Sequence, residues 1–257
     1  MLDLKALVEA LVEALAKRRG NATFCGLMQA QQHRIGLKAR SYQLDKRQLL
    51  IGGGAVIALA GGGAAWMYQT RPKSKLPPDL MTPGPLGEQS LGKEGAPVTI
   101  IEYASMTCSH CARFHETTYP ELKKRYIDTG KVRFIFREFP LDILAATAFM
   151  LARCAGKDQY FPMIEVLFQQ QDKWIVGPPA SPEAQLLAIA KQAGFTEESF
   201  NACVKNQTVL DGIKWSLDRG SDLGVQSTPS FFINGKLYPG ALTIEQVEKA
   251  IAPYLGS

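Results

Sequence analysis

Two cysteines separated by two residues are the feature of this 257-residue chain whose spacing most directly indicates a chemistry. Cys108 and Cys111 enclose Ser109 and His110, and the tetrad follows a strand-like apolar run at 98–103. Two thiols at this separation can close into a disulfide and exchange it with the cysteines of another protein. The tetrad begins a predicted helix, and the positive end of a helix dipole favours thiolate over thiol. Cys108 is therefore the predicted nucleophile.

Metal binding is an alternative chemistry for the same cysteines. Cys108, Cys111 and His115, which follows one helical turn later, could supply three ligands. A fourth ligand is missing, because the chain has no second Cys-x-x-Cys motif and His33 lies before a long apolar segment. The sequence therefore predicts neither a metal nor an organic cofactor.

A strand, a helix and a second strand are predicted around the tetrad. Residues 98–103 form the first strand, residues 108–129 a helix stopped by Gly130, and residues 132–137 the second strand. This order predicts a parallel pair of strands with a right-handed crossover, and reactions occur at the carboxyl ends of such strands. Cys108 lies at that end.

A helical block is predicted to interrupt the sheet. Residues 144–222 are mostly helical in pattern, and strand signals return at 230–233 and 236–238. The Asn234-Gly235 pair between these two strands favours a tight hairpin, and Thr243 begins a final helix. The pattern predicts an α/β domain with a helical insertion.

An uncharged segment precedes this domain. Between Gln48 and Thr70 there is no charged residue, and the run 49–68 has about the length of a membrane-spanning helix. Two glycine triplets weaken the span, and Ala58-Leu59-Ala60 has the small-x-small form of a signal-peptidase site. An uncleaved anchor and a cleaved signal both remain open as interpretations.

The predicted domain boundaries follow from these segments. We expect a partly helical N-terminal extension at 1–45, a transmembrane anchor or signal segment at 46–70, a proline-rich linker at 71–90 and the folded domain at 91–257. The net charge of +5 comes from scattered basic residues that are not interleaved with aromatic side chains. Nucleic-acid binding is therefore not expected.

The cysteines suggest which side of a membrane the domain occupies. Cys25 lies before the apolar segment, whereas Cys108, Cys111, Cys154 and Cys203 follow it. Four cysteines in two pairs suit an oxidising compartment, and a single cysteine suits the reducing cytosol. We therefore expect the N-terminus in the cytoplasm and the folded domain outside it.

A second cysteine pair lies in the helical block. A disulfide between Cys154 and Cys203 would stabilise the domain by roughly 4 kcal/mol on the chain-entropy account. Two buried free thiols are the alternative. The spacing of the two residues along the chain does not decide between them.

The order of these features resembles the DsbA family of thiol:disulfide oxidoreductases, within the thioredoxin superfamily. The resemblance rests on the Cys-x-x-Cys helix after the first strand, the helical insertion and the run Ser-Thr-Pro-Ser-Phe-Phe-Ile-Asn-Gly at 227–235, and it covers roughly residues 90 to 257. It implies an α/β, thioredoxin-like fold with an inserted helical subdomain, preceded by a single transmembrane or signal segment. The chain looks like the membrane-tethered or secreted members of Gram-negative bacteria.

The resemblance also implies roles for individual residues. Cys108 and Cys111 match the redox pair, and Pro229 matches the family's cis-proline. Thr228 precedes that proline, and its backbone would pair with an extended substrate. Glu102 matches a buried acid beneath the active site and is expected to accept the proton of Cys111 during turnover, with a purely local hydrogen bond as the alternative.

Two residues between the cysteines affect the chemistry differently. His110 would favour the Cys108 thiolate by its positive charge or by an N–H donor. The family often has proline where this chain has Ser109, and this departure bears on the redox potential more than on the reaction. A strongly depressed pKa of Cys108 would stabilise the reduced form and make the protein an oxidant.

The implied function is donation of the Cys108–Cys111 disulfide to reduced secreted or periplasmic proteins. A disulfide isomerase or reductase of the same fold is the alternative. The family implies a quinone-linked membrane protein as the re-oxidant. The sequence offers no obvious dimer module beyond a first helix, so we expect a monomer in the periplasm, tethered to the inner membrane through 49–68 or released by signal cleavage.

Overall fold

The computed structural model describes residues 78–175 and 181–256. These residues contain a mixed five-stranded sheet. The strands in chain order are β1 (Gln89–Leu91), β2 (Val98–Ala104), β3 (Val132–Glu138), β4 (Ser230–Ile233) and β5 (Lys236–Pro239). Their spatial order is β1-β3-β2-β4-β5. Strands β2 and β3 are parallel, as predicted, and the other neighbouring pairs are antiparallel.

Strand β2 is the centre of the sheet, and all seven of its residues are buried. Because side chains alternate along a strand, Ile100 and Ala104 join the larger apolar cluster, which packs against helices. Ile101 and Tyr103 join a smaller cluster on the opposite face. Glu102 has the same parity as Ile100, so strand geometry places a carboxylate in the helix-covered layer.

The crossover between β2 and β3 contains α1 (Ser109–Thr117), α2 (Tyr119–Leu122) and a π-helical turn (Lys123–Ile127). The sequence predicts one helix over 108–129, and the location is confirmed, but the helix is divided. Pro120 has no N–H to donate, so it opens a new segment after Thr118. Gly130 follows with a φ of 75°, the left-handed conformation that ends helices.

The helical block lies between β3 and β4. Its helices are α3 (Ile143–Cys154), α4 (Lys157–Gln169), α5 (Gln171–Ile175), α6 (Pro182–Gln192), α7 (Glu197–Val204) and α8 (Gln207–Asp222), and α9 (Ile244–Leu255) follows the sheet. The Asp142 side chain caps α3 by accepting a hydrogen bond from the Ala145 N–H at 2.8 Å. Thr243 caps α9 in a capping box with Gln246.

Cys154 at the end of α3 and Cys203 in α7 are joined by a disulfide, with 6.1 Å between their Cα atoms. The two cysteines are 49 positions apart along the chain. Tertiary packing, which spacing alone does not reveal, brings the two thiols together. The bond fixes α7 against α3 inside the helical block.

Packed residues precede 91, the expected start of the domain. Leu80 is buried in the smaller apolar cluster, and β1 begins at Gln89 within the stretch expected to be linker. Strand β1 has three residues, which is too short to show a period in the sequence. Its register, Gln89 opposite Phe136, is set by pairing with β3 rather than by local pattern.

The predicted N-terminal extension, the apolar segment 49–68 and Cys25 lie outside the described residues. Among the helices of residues 78–175 and 181–256, none combines the length and apolar character that a bilayer span requires.

Candidate active site

Cys108 lies at the end of the loop between β2 and α1, directly before the first helical residue, Ser109. Its N–H donates to the Ser105 carbonyl at 3.1 Å, and its own carbonyl accepts from the N–H groups of Cys111 and Ala112, each at 3.1 Å. It is thus the N-cap residue of α1, in an extended conformation. Residue Cys108 is 9% exposed, whereas Cys111 is fully buried.

The two thiols of the tetrad are free in the structure and have opposite acidities. A hydrogen bond donated by the Cys111 thiol, assisted by the N–H groups of Cys111 and His110, outweighs the effect of burial and lowers the pKa of Cys108 from 9 to about 5. Complete burial raises the pKa of Cys111 far above its usual value, and the charge of Glu102 adds to this effect. Cys108 is therefore the thiolate, and Cys111 remains a thiol.

The acidity of Cys108 can be tested by titration. We expect the ultraviolet thiolate absorbance of the reduced protein to rise with a midpoint near pH 5. Because the folded pKa lies below the usual 9, the reduced form gains stability as the pH rises from about 5 towards 9 and loses it as the pH falls through 5. The Cys108→Ser variant should lack this transition. A wild-type midpoint near 9 would contradict the assignment.

The loop before β4 faces the nucleophile. The Thr228–Pro229 peptide bond is cis, and the Cys108 Sγ lies 3.2 Å from the Thr228 carbonyl oxygen. Pairing of β4 with β2, with Ser230 opposite Tyr103, brings this loop to the carboxyl end of β2. The structure therefore places Thr228 and Pro229 beside Cys108.

Glu102 lies behind the tetrad and pairs with a histidine. Its Oε2 is 2.9 Å from His115 Nε2, and both residues are buried. The His115 ring stacks on Phe168 with centroids 4.4 Å apart and packs against Tyr119 at 4.7 Å. Sequence reasoning considered His115 only as a metal ligand. Its position one turn after Cys111 on the same helix was the available signal for a role beneath the thiols.

His110 contributes through its backbone. The residue is exposed at the start of α1, and its N–H is among the donors that lower the pKa of Cys108. The sequence analysis assigned this effect to the imidazole of His110, whereas in the structure His110 acts on Cys108 through its main-chain N–H. No three acidic, cysteine or histidine side chains within the described residues are grouped as metal ligands.

Gln171 is a site residue that sequence reasoning missed. Its Nε2 donates to the carbonyls of Met106 and Cys108 at 2.8 and 3.1 Å, and the side chain is buried. It opens α5, which is anchored by the buried Trp174, whose indole N–H donates to the Leu167 carbonyl at 2.8 Å. The helical block thereby holds the active-site loop, and a glutamine distant in sequence gives no local sign of this.

Comparison with known proteins agrees with this geometry. A family profile described as thioredoxin matches residues 86–252. A Rickettsia prowazekii protein named as a protein-disulfide oxidoreductase is 34% identical over 168 residues, which are 63% of this chain and 59% of that protein. A Bacillus cereus protein named as disulfide bond formation protein D is 32% identical over 161 residues, which are 58% of this chain and 71% of that protein.

Solved structures show the same similarity. The crystal structure of Wolbachia pipientis alpha-DsbA1 superimposes with a TM-score of 0.63 and 31% identity, covering 69% of this chain and 95% of that one. BdbD from Bacillus subtilis, at 22% identity, has a TM-score of 0.57, which shows a common fold. The chain spans under two thirds of the length of the rickettsial relative.

Proposed function

Since this chain belongs to the thioredoxin family and, within it, to the DsbA-like proteins, we propose that it is a thiol:disulfide oxidoreductase that donates its Cys108–Cys111 disulfide to reduced proteins. The observation that carries the proposal is the unequal pair of thiols, with a pKa of about 5 at Cys108 and a buried, protonated Cys111. A stabilised thiolate belongs to the reduced form only. It therefore favours giving the disulfide away.

The size of this bias follows from the acidity of Cys108. At pH 7, a fall in the pKa of Cys108 from 9 to about 5 stabilises the reduced form by roughly 2.7 kcal/mol relative to a thiol of ordinary pKa, which corresponds to about 60 mV in a two-electron couple. Hydrogen bonds and the helix N-terminus supply this stabilisation. Such a pair is an oxidant relative to one with ordinary thiols.

The reaction proceeds in two exchanges. A substrate thiolate attacks Cys108 Sγ, a mixed disulfide forms, and the electron pair of the broken bond leaves on Cys111 Sγ, which takes up a proton. A second substrate thiolate then attacks the substrate sulfur of the mixed disulfide, and Cys108 leaves as a thiolate. The substrate loses two electrons and the protein gains them. Glu102, whose charge acts on Cys111, is the proposed proton-exchanging group.

The proposed setting is the periplasm. The segment 49–68 would tether the domain to the inner membrane with Cys25 in the cytoplasm, or signal cleavage would release it. Reduced secreted or periplasmic proteins would be the substrates of a monomer. A quinone-linked membrane protein would restore the Cys108–Cys111 disulfide.

Oxidation of a reduced protein, compared with repair of a scrambled one, tests the function. We expect the oxidised protein to transfer about one disulfide per molecule to reduced ribonuclease A, and to restore little activity to ribonuclease A with scrambled disulfides. Cys108→Ala serves as the blank in both assays. Faster repair than oxidation would favour the isomerase interpretation, and no transfer above the blank would refute the proposal.

A further inference from the structure

The buried pair Glu102 and His115 has two polar atoms that the hydrogen bond between them does not satisfy. Within the described residues, Glu102 Oε1 and His115 Nδ1 have no hydrogen-bonding partner. Burying such an atom unpaired costs about 1–3 kcal/mol. The side chains are 0% and 3% exposed, so bulk solvent does not reach them directly. Because the unpaired atoms of Glu102 and His115 destabilise the fold, their position beneath the two thiols suggests a chemical role.

A cavity of about 480 Å³ adjoins the pair on one side. His115 lines it together with Ser109 and Ala112 of α1, Tyr119 of α2 and Phe168 of α4. The rim carries charged side chains from four elements, namely Arg113, Glu116, Lys123, Glu165 and Asp172. A polar cavity of this size admits water. His115 therefore lies between the cavity and Glu102.

The buried sulfur of Cys111 creates the need for such a connection. When the Cys108–Cys111 bond breaks, the electron pair leaves on Cys111, and burial makes its thiolate unfavourable. The sulfur must take up a proton at that moment. Cys111 is fully buried, so the proton has to come through the protein. The charge of Glu102 is felt at Cys111, and His115 contacts Glu102.

We propose that His115 carries protons between the cavity and Glu102, and that the pair in this way supplies and removes the proton of Cys111. The inference rests on the proposed function. As the disulfide is donated, one proton moves from the pair to the departing Cys111 Sγ, and water in the cavity returns a proton to the pair through His115. Re-oxidation runs the same transfer backwards. His115 acts through Glu102 and is a positioning residue rather than a group that touches sulfur.

Other side chains surround the pair. Tyr119 packs against His115, and burial raises the pKa of Tyr119 well above its usual value, so that the phenol stays protonated. From β3 and α4, the rings of Phe136 and Phe168 pack against His115. The charged side chains named above line the cavity. The proposed path of a proton to Cys111 therefore runs through His115 and Glu102.

The test measures single-turnover oxidation of a reduced peptide by the oxidised protein as a function of pH. His115→Gln keeps a donor to Glu102 but cannot carry a proton, and it should be slower by at least about a hundredfold, the lower range for general acid–base catalysis. The ratio of wild-type to variant rate cancels the titration of the peptide thiol, and it should change with pH. Tyr119→Phe, in the wall of the same cavity, should match the wild type.

Chemical rescue separates proton transfer from packing. His115→Ala should recover rate when imidazole is added, and pyrazole, which has the same shape but is a much weaker base, should not restore it. If both heterocycles rescue equally, or if imidazole restores nothing, the relay is refuted. If a variant fails to fold, the wild-type single-turnover rate compared in water and in deuterium oxide decides. Equal rates in the two solvents would refute the relay.

These outcomes are distinct from a failure of the proposed function. A wild-type protein that oxidises no peptide would refute the function. A wild-type protein that oxidises the peptide, with a His115→Gln variant that matches it at every pH, would refute only the relay.

Discussion

Replacing Cys111 by serine is expected to turn the protein into a trap that holds a mixed disulfide on Cys108. The Cys108 thiolate can still attack a disulfide, because its exposed side and its position at the start of α1 do not change. The resolving thiol is gone, so the adduct stays. In oxidised glutathione we expect close to one glutathione per molecule by intact mass, and turnover should fall to the uncatalysed rate.

The control for this experiment is Cys108→Ser, which keeps Cys111 and loses the accessible sulfur. Both variants are made in a Cys25→Ser background, and the Cys154–Cys203 disulfide offers no thiol, so the tetrad alone can react. Cys108→Ser should gain no adduct, because Cys111 is buried and stays protonated. An adduct on Cys108→Ser, or turnover by Cys111→Ser, would contradict the assigned roles.

The residue placed at 111 should also set the acidity of Cys108. The largest contribution to its low pKa is the hydrogen bond from the Cys111 thiol. A serine hydroxyl can replace that donor, whereas an alanine cannot. Titration should therefore find a low midpoint in Cys111→Ser and a clearly higher one in Cys111→Ala. Equal midpoints would mean that the group at position 111 does not set the acidity of Cys108.

The features that sequence alone predicted are those with a local pattern. The buried strand at 98–103, the helix that follows it and the Asn234-Gly235 hairpin depend on spacing and turn chemistry among neighbouring residues, and the structure has them. The redox pair was evident for the same reason. Strand β1 gave no such signal, because three residues show no period and pairing with β3 alone defines them.

The contacts that could not be predicted from the sequence are those between residues distant along the chain. Gln171 reaches Cys108 across 63 positions, and no pattern near a lone glutamine marks that contact. Glu102 stood out as a charge in an apolar strand, but its partner His115 becomes visible only when α1 packs on β2. The membrane segment remains a prediction, because it lies outside the described residues.

Arg153→Met is expected to destabilise the domain more than any surface change. The guanidinium donates to Glu138, which lies at the carboxyl end of β3 and is 1% exposed, and it also donates to the carbonyls of Leu86 and Gly87 at 3.1 Å each. Methionine fills similar space but leaves the Glu138 carboxylate buried without a cation. Breaking a buried pair from one side costs about 3–5 kcal/mol. Urea unfolding should show that loss.

The matched control is Lys214→Met, which removes an exposed i,i+4 partner of Asp218 and should change the free energy of unfolding by less than about 0.5 kcal/mol. Adding Glu138→Gln to Arg153→Met should recover part of the loss, because an amide carries no charge and can still accept the Tyr160 hydroxyl. If Arg153→Met unfolds at the same urea concentration as the surface control, the buried pair does not stabilise the domain. The predicted loss would show that Arg153 ties the segment before β1, through the carbonyls of Leu86 and Gly87, to the carboxyl end of β3 at Glu138.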